Sequence, residues 1–169
     1  GKTAAFALPI LDKIDFDSNN IQAIVLCPTR ELAVQVKREI DKIGKYVPKL
    51  KTVAVYGGEA ISNQIRSLKK KPQIIVGTPG RTIDHINRKL IKLDDIKFLV
   101  LDEADEMLKM GFKEDIETIL EAANQERQTV MFSATMPRAI LNITKKYMKN
   151  PIHISVITGD ESNKDITQS

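Results

Sequence analysis

The chain has 169 residues, 42% hydrophobic and 28% charged, with 26 Lys and Arg against 22 Asp and Glu for a net charge of +4. That length suits one domain with its own core, and the mild positive charge admits a polyanionic partner without requiring one. Aromatics at 5% with no Trp argue against a platform of several stacked rings, and a single cysteine cannot form an internal disulfide; no apolar run reaches the roughly 18 residues that a bilayer span needs.

In chain order, Gly1-Lys2-Thr3 runs into Ala4-Ala5-Phe6-Ala7-Leu8, the form of the end of a phosphate-binding loop entering a helix. An apolar strand is predicted over 22–27; it ends at Cys27, read as a small buried hydrophobe whose solitary state suits a reducing compartment. Pro28-Thr29-Arg30-Glu31-Leu32-Ala33 follows. Leu32, Val36, Ile40 and Ile43 then recur at helical spacing, with Lys37, Arg38, Asp41 and Lys42 on the other side. A strand over 52–56 precedes Gly57-Gly58. Lys69-Lys70-Lys71 closes a predicted helix before Pro72, and cations suit a helix C-terminus, so we read them as a solvated face.

Further strands are predicted over 73–77, 97–101, 129–132 and 152–156. The first three of these run into Thr78-Pro79-Gly80-Arg81, Asp102-Glu103-Ala104-Asp105 and Ser133-Ala134-Thr135, respectively. Phe112, Ile116, Ile119 and Leu120 mark another helix. A last one continues from Pro137, suited to a first helical position, through Ile140, Ile143 and Tyr147. Residues 158–169 are polar, lack an apolar period, and read as a linker or disordered tail.

Most of the strands are continuous apolar runs, as expected for parallel strands covered on both faces. Alternation with helices through short connections implies right-handed crossovers and a three-layer α/β domain with a mostly parallel sheet. Ligands of such sheets gather at the carboxyl ends of the strands. Every short motif after the first falls at such an end.

The chemistry of the first and fifth motifs is complementary. Lys2 suits the β/γ-phosphates of a nucleotide and the Thr3 hydroxyl suits magnesium. Asp102, directly after a buried strand, suits the same ion, and Glu103 suits orienting and deprotonating a water. Acids in a first helical turn also serve simply to complement the macrodipole. His85 and His153 have no partner at metal-ligand spacing and are assigned no site.

In this order the six motifs resemble the first motor domain of the DEAD-box RNA helicase family, over essentially the whole chain to about residue 156. The resemblance implies a RecA-like P-loop NTPase fold over 1–157, with ATP and Mg as cofactors. Gly1, Lys2 and Thr3 would bind nucleotide, Thr3 and Asp102 the metal, and Glu103 with Asp102 would carry hydrolysis. Pro28, Thr29, Arg30, Gly57, Gly58, Thr78, Pro79, Gly80 and Arg81 would grip the RNA sugar–phosphate backbone without reading bases. Asp105, Ser133 and Thr135 would couple nucleotide state to strand separation. Further implications are a second RecA-like domain in the same polypeptide, no membrane, and a cytoplasmic location with the nucleus as alternative. Taken singly, Pro79-Gly80 is also an everyday turn, Thr29 or Thr135 a helix cap, and Gly57-Gly58 a strand end.

The chain departs from the family pattern at its start. The family loop begins about five residues upstream of Gly1, preceded by a central strand and an adenine-reading segment. From this we expect weak ATP binding and little unwinding by these 169 residues alone, with unpaired backbone edges in the sheet. Two rival readings are a DNA helicase or translocase with the same ATPase core, and a non-enzymatic RNA- or protein-binding module.

Overall fold

Runs such as Ala23-Ile24-Val25-Leu26 and Phe98-Leu99-Val100-Leu101 leave no polar face, so both sides of their sheet must be covered. The computed structural model, which describes residues 2–148, 152–155 and 165–168, meets this demand with three layers. The helices are α1 (Lys2–Lys13), α2 (Arg30–Ile43), α3 (Ile61–Leu68), α4 (Pro79–Asn87), α5 (Ala104–Lys109), α6 (Lys113–Ala122) and α7 (Arg138–Tyr147). The strands are β1 (Ala23–Leu26), β2 (Thr52–Val55), β3 (Ile74–Gly77), β4 (Phe98–Leu101), β5 (Gln128–Phe132), β6 (Ile152–Ser155) and β7 (Asp165–Gln168).

The strands form one sheet in the order β2-β3-β1-β4-β5-β6-β7, parallel throughout except for β7. Alternate residues of β1, β3, β4 and β5 feed opposite cores. Ile24 and Leu26 join Leu99, Leu101, Met107 and Ile116 on one side; Ala23 and Val25 join Phe6, Val36, Ile40 and Phe132 on the other. Each large apolar side chain so covered contributes roughly 1.5–3 kcal/mol. Helices α1 and α2 lie over the second core, and α5, α6 and α7 supply the first. The α2 stripe behaves as its spacing predicts, with Val36 and Ile40 buried and the helix capped by Thr29, whose hydroxyl accepts from Leu32 N at 3.2 Å.

Register aligns the strand tips. Leu26 sits opposite both Gly77 and Leu101, Val55 opposite Gly77, and Leu101 opposite Met131. The five segments that follow these tips therefore share one edge of the molecule.

Three expectations need correcting. Pro137 is the cap of α7 rather than its first residue: its ψ of 168° is extended, and its carbonyl accepts from Ile140 N and Leu141 N. Within the stretch read as a tail, Asp165–Gln168 pairs antiparallel with β6, because β6 offers a free edge and Ile166-Thr167 is β-branched. Finally, the unpaired edges expected for a sheet missing a central strand do not occur inside it, since β5 pairs directly in parallel with β6. Lys69, Lys70 and Lys71 are exposed at the end of α3, as expected of a solvated face. No described helix is long and apolar enough to cross a membrane.

Candidate functional site

At the β4 tip the chain turns sharply. Asp102 continues the ladder, its N–H donating to Leu26 O at 2.9 Å, while its carboxylate is fully buried. The first turn of α1 brings Lys2 against it, with Nζ 2.7 Å from Oδ1. This is an ion pair by distance, yet neither Asp102 oxygen has an aligned hydrogen-bond donor among the described residues. Burial pushes the carboxyl of Asp102 up, and the Lys2 ammonium pulls it only part of the way back.

Glu103 follows in the left-handed region, at φ 55° and ψ 53°. For a residue with a Cβ this costs roughly 1–2 kcal/mol, and strain of that kind collects at functional positions. Its carboxyl is also raised, first by burial and then by the Asp102 charge, which moves it toward the range where a carboxylate accepts protons well.

Lys2, Thr3, Asp102 and Glu103 line one cleft of about 530 Å³, with Gln35, Glu39 and Lys42 of α2 as its opposite wall. The Thr3 hydroxyl donates to the Glu39 carboxylate rather than to Asp102. No group of three or more His, Cys, Asp or Glu able to hold a metal occurs among the described residues. A cation here must therefore arrive with other ligands. Magnesium fits that demand, since it keeps waters and phosphate oxygens and needs only one or two protein ligands. The unsatisfied Asp102 oxygens and the nearby Thr3 hydroxyl are suited to it. Gly1 lies outside the described residues.

Beside this cleft, α5 and the β5 tip are joined through Asp105. Its Oδ2 accepts from Thr135 N at 3.1 Å and from the Thr135 hydroxyl at 2.8 Å, and its Oδ1 accepts from Glu106 N at 3.0 Å. Burial alone would raise this carboxyl; the Thr135 and Glu106 donors outweigh it and hold it below the usual carboxylate range. The Ser133 hydroxyl donates to Thr135 O at 2.7 Å, which closes the Ser133-Ala134-Thr135 turn. Lys2 and Glu103 border the same hollow as these three residues, so the acidic cleft and the turn are contiguous.

On the other half of the edge, the tips of β1, β2 and β3 present Thr29-Arg30, Gly57-Gly58 and Gly80-Arg81. The side chains of Pro28, Thr78 and Pro79 are buried and shape the turns; Arg30, Gly57, Gly58 and Gly80 are exposed. The Arg30 guanidinium lies over the Tyr56 ring, 4.8 Å from its centroid. Gly58 has a φ of 87°, which explains a glycine there by backbone alone. Gly80 is different: a Cβ at that position would meet nothing within 4 Å, so no internal contact demands its absence.

Four residues of these surroundings escaped the sequence reading. Glu39 sits beside the apolar stripe of α2, where an acid looks merely solvated. Tyr56 reads as the last strand residue. Gln64 and His85 are both buried, at 2% and 0% exposure, and bonded to each other, Gln64 Oε1 to His85 Nε2 at 2.9 Å. Their only signal was a polar residue on the apolar side of a helical period. Cys27 is buried as read, its thiol pushed up by burial and then by Asp102.

The family model described as DEAD/DEAH box helicase matches residues 1–143. The chain is 60% identical over 151 residues to the ATP-dependent RNA helicase CshA of Listeria monocytogenes, covering 89% of this chain and 29% of that protein. It is 52% identical over 168 residues to the DEAD-box ATP-dependent RNA helicase CshA of Bacillus subtilis, covering 99% of this chain and 34% of that one. It thus spans about a third of these relatives. Among solved structures, a DEAD box protein from Methanococcus jannaschii superposes with a TM-score of 0.84 at 51% identity, over 92% of this chain and 42% of that one. The yeast DEAD-box splicing factor Prp28 gives 0.84 at 34% identity, over 95% of this chain and 40% of its own. With the family model matching residues 1–143 of its 169, the chain belongs to the DEAD/DEAH box helicase family.

Proposed function

We propose that this chain is the ATP-facing motor domain, over 1–157, of an ATP-dependent RNA helicase. One observation carries the reading: Lys2 and Thr3 at one end of the chain and Asp102 and Glu103 about a hundred residues on line a single cleft. In this reading Lys2 releases Asp102 to meet the β/γ-phosphates, and Asp102 and Thr3 hold magnesium. When bound, magnesium supplies charge neutralisation at the phosphate oxygens. Glu103, with its raised pKa and fixed left-handed backbone, orients the water and takes its proton.

The Asp105–Thr135 bonds support a coupling role, since they tie the helix that follows Glu103 to the turn after β5. The exposed glycines and Arg30 and Arg81 support a sugar–phosphate grip, which is sequence-tolerant and weakens with salt. A second RecA-like domain of the same polypeptide closes over both ligands, and the protein works in the cytoplasm.

The test is phosphate release by the full-length protein with ATP and magnesium, alone and with single-stranded RNA or DNA. Stimulation by RNA above DNA, lost in Glu103→Gln, is expected. Stronger stimulation by DNA, or undiminished turnover in Glu103→Gln, overturns the proposal.

A further inference from the structure

The Gln64 side chain, from the middle of α3, has no place in the nucleotide or RNA contacts proposed above, yet it is almost wholly buried beneath the proposed RNA edge. Its Nε2 donates to Tyr56 O at 2.8 Å and to Glu59 Oε1 at 2.8 Å, the two residues that bracket Gly57-Gly58. Its Oε1 accepts from Arg81 Nη1 at 3.0 Å and stands 2.9 Å from His85 Nε2. An amide can make two donor and two acceptor bonds, and here all four are made.

The orientations follow from one another. Arg81 has only donors, so the amide oxygen must face it. His85 then has to present N–H at Nε2, which leaves its buried Nδ1 without a partner among the described residues. Arg81 Nη1 also donates to Glu59 O at 3.1 Å. With Nη1 anchored twice, Nε and Nη2 of Arg81 have no protein partner among the described residues. Those two donors form the side-on edge that meets a phosphate bidentately. Through Tyr56, whose carbonyl Gln64 holds and whose ring underlies Arg30, the same amide reaches the second arginine.

We propose that Gln64 is a positioning residue, its buried amide fixing the Gly57-Gly58 loop, Arg81 and, through Tyr56, Arg30 in one arrangement before RNA arrives. The inference rests on the reading of this edge as the RNA-backbone grip. Without the amide, Arg81 keeps only its bond to Glu59 O as an anchor on the Gly57-Gly58 loop, and its fork must be ordered at the expense of binding.

The experiment uses the full-length protein and a single-stranded oligouridylate. It measures half-saturating RNA for ATPase stimulation, the maximal stimulated rate, basal ATPase and melting temperature. For Gln64→Ala we expect half-saturation to rise roughly 10-fold, the equivalent of one hydrogen bond to a charged group, with basal ATPase unchanged. Arg81→Ala made on top of Gln64→Ala should add less than it does alone, because both remove the same contact. Glu59→Ala, which deletes one half-exposed bond and keeps the core intact, should raise half-saturation about 2- to 3-fold.

A Gln64→Ala protein whose half-saturation matches wild type, whatever its melting temperature, overturns the inference. So does full additivity with Arg81→Ala. If Gln64→Ala does not fold, an unchanged half-saturation in Glu59→Ala overturns it and a raised one supports it. A wild-type protein that RNA neither binds nor stimulates brings down the functional reading and this inference together, whereas the other outcomes remove the inference alone.

Discussion

The carboxyl edge of the sheet has two halves that solve opposite problems. Around β2, β3 and β1 most buried polar groups are paired internally: Gln64 uses every bond it can make, Thr29 caps α2, and Thr82 bonds back to Thr78 O, with His85 Nδ1 and Thr52 Oγ1 the buried exceptions among the described residues. Around β4 and β5 the reverse holds at the centre. Asp102 is buried without an aligned donor and Glu103 is strained. A surface for a long, uniform polyanion gains from rigidity, because a preformed grip loses less on binding. A site for chemistry must instead hold electrostatic capacity that is met only when charge arrives. The two halves share an edge, and the Asp105–Thr135 bonds lie on the chemical side of it.

The contrast yields graded expectations. Glu103→Gln should slow ATP hydrolysis by roughly 10²–10⁴-fold, the usual share of a general base, with the melting temperature held; steady-state phosphate release and calorimetry would check both. Thr135→Val removes one of the two Thr135 bonds to Asp105 and should lower RNA unwinding about 10-fold with a stability loss of about 1 kcal/mol. Comparison of unwinding with ATP turnover would show whether the loss lies in coupling.

Gly80→Ala should weaken RNA binding about 3- to 10-fold while stabilising the fold by up to about 1 kcal/mol, since Gly80 lies within α4 and a Cβ there meets open space. Opposite signs from fluorescence titration and thermal melting would mark a glycine kept for a ligand; a loss of stability would mark one kept for the fold.

Asp102→Asn should raise the melting temperature by about 2 °C, roughly what 1 kcal/mol is worth at this size, while ending ATP turnover. Burial raises the native pKa of Asp102, so its ionisation weighs against folding as pH climbs above the unfolded carboxylate range.

The smallest effect belongs to the other half. Burial lowers the pKa of His85, with Arg81 and Arg88 adding to it and Asp84 opposing. The unfolded chain thus takes up the proton first, at its ordinary value of 6.5. The His85 contribution is intact above that pH and is lost as pH falls below it, by no more than about 1.4 kcal/mol at pH 5.5. Melting curves from pH 7.5 to 5.5 should show a downward step that is absent in His85→Gln.

The strands were legible because each is a short apolar run closed by a turn residue. All six predicted strands lie within a residue or two of their places, although Val156, the end of the last, is outside the described residues. The four-residue strand at Asp165–Gln168 was not legible, since a polar segment pairs only if a neighbouring edge is free to receive it. Similarly, Lys2 and Asp102 could be singled out by residue type, but Glu39 could not. Its importance comes from the Thr3 hydroxyl that faces it across two helices. His85, set aside for want of metal-ligand neighbours, holds a place defined by Gln64, 21 residues away.

Local order along the chain was enough to set the strand–helix alternation, the edge on which the motifs gather, and the residue types available there, since periodicity and turn chemistry act between near neighbours. Packing alone settled which of those residues meet. Whether a carboxylate ends up hydrogen-bonded like Asp105 or buried with only an ion pair like Asp102 depends on groups delivered from elements remote in sequence, at distances of a few ångströms that no spacing rule encodes.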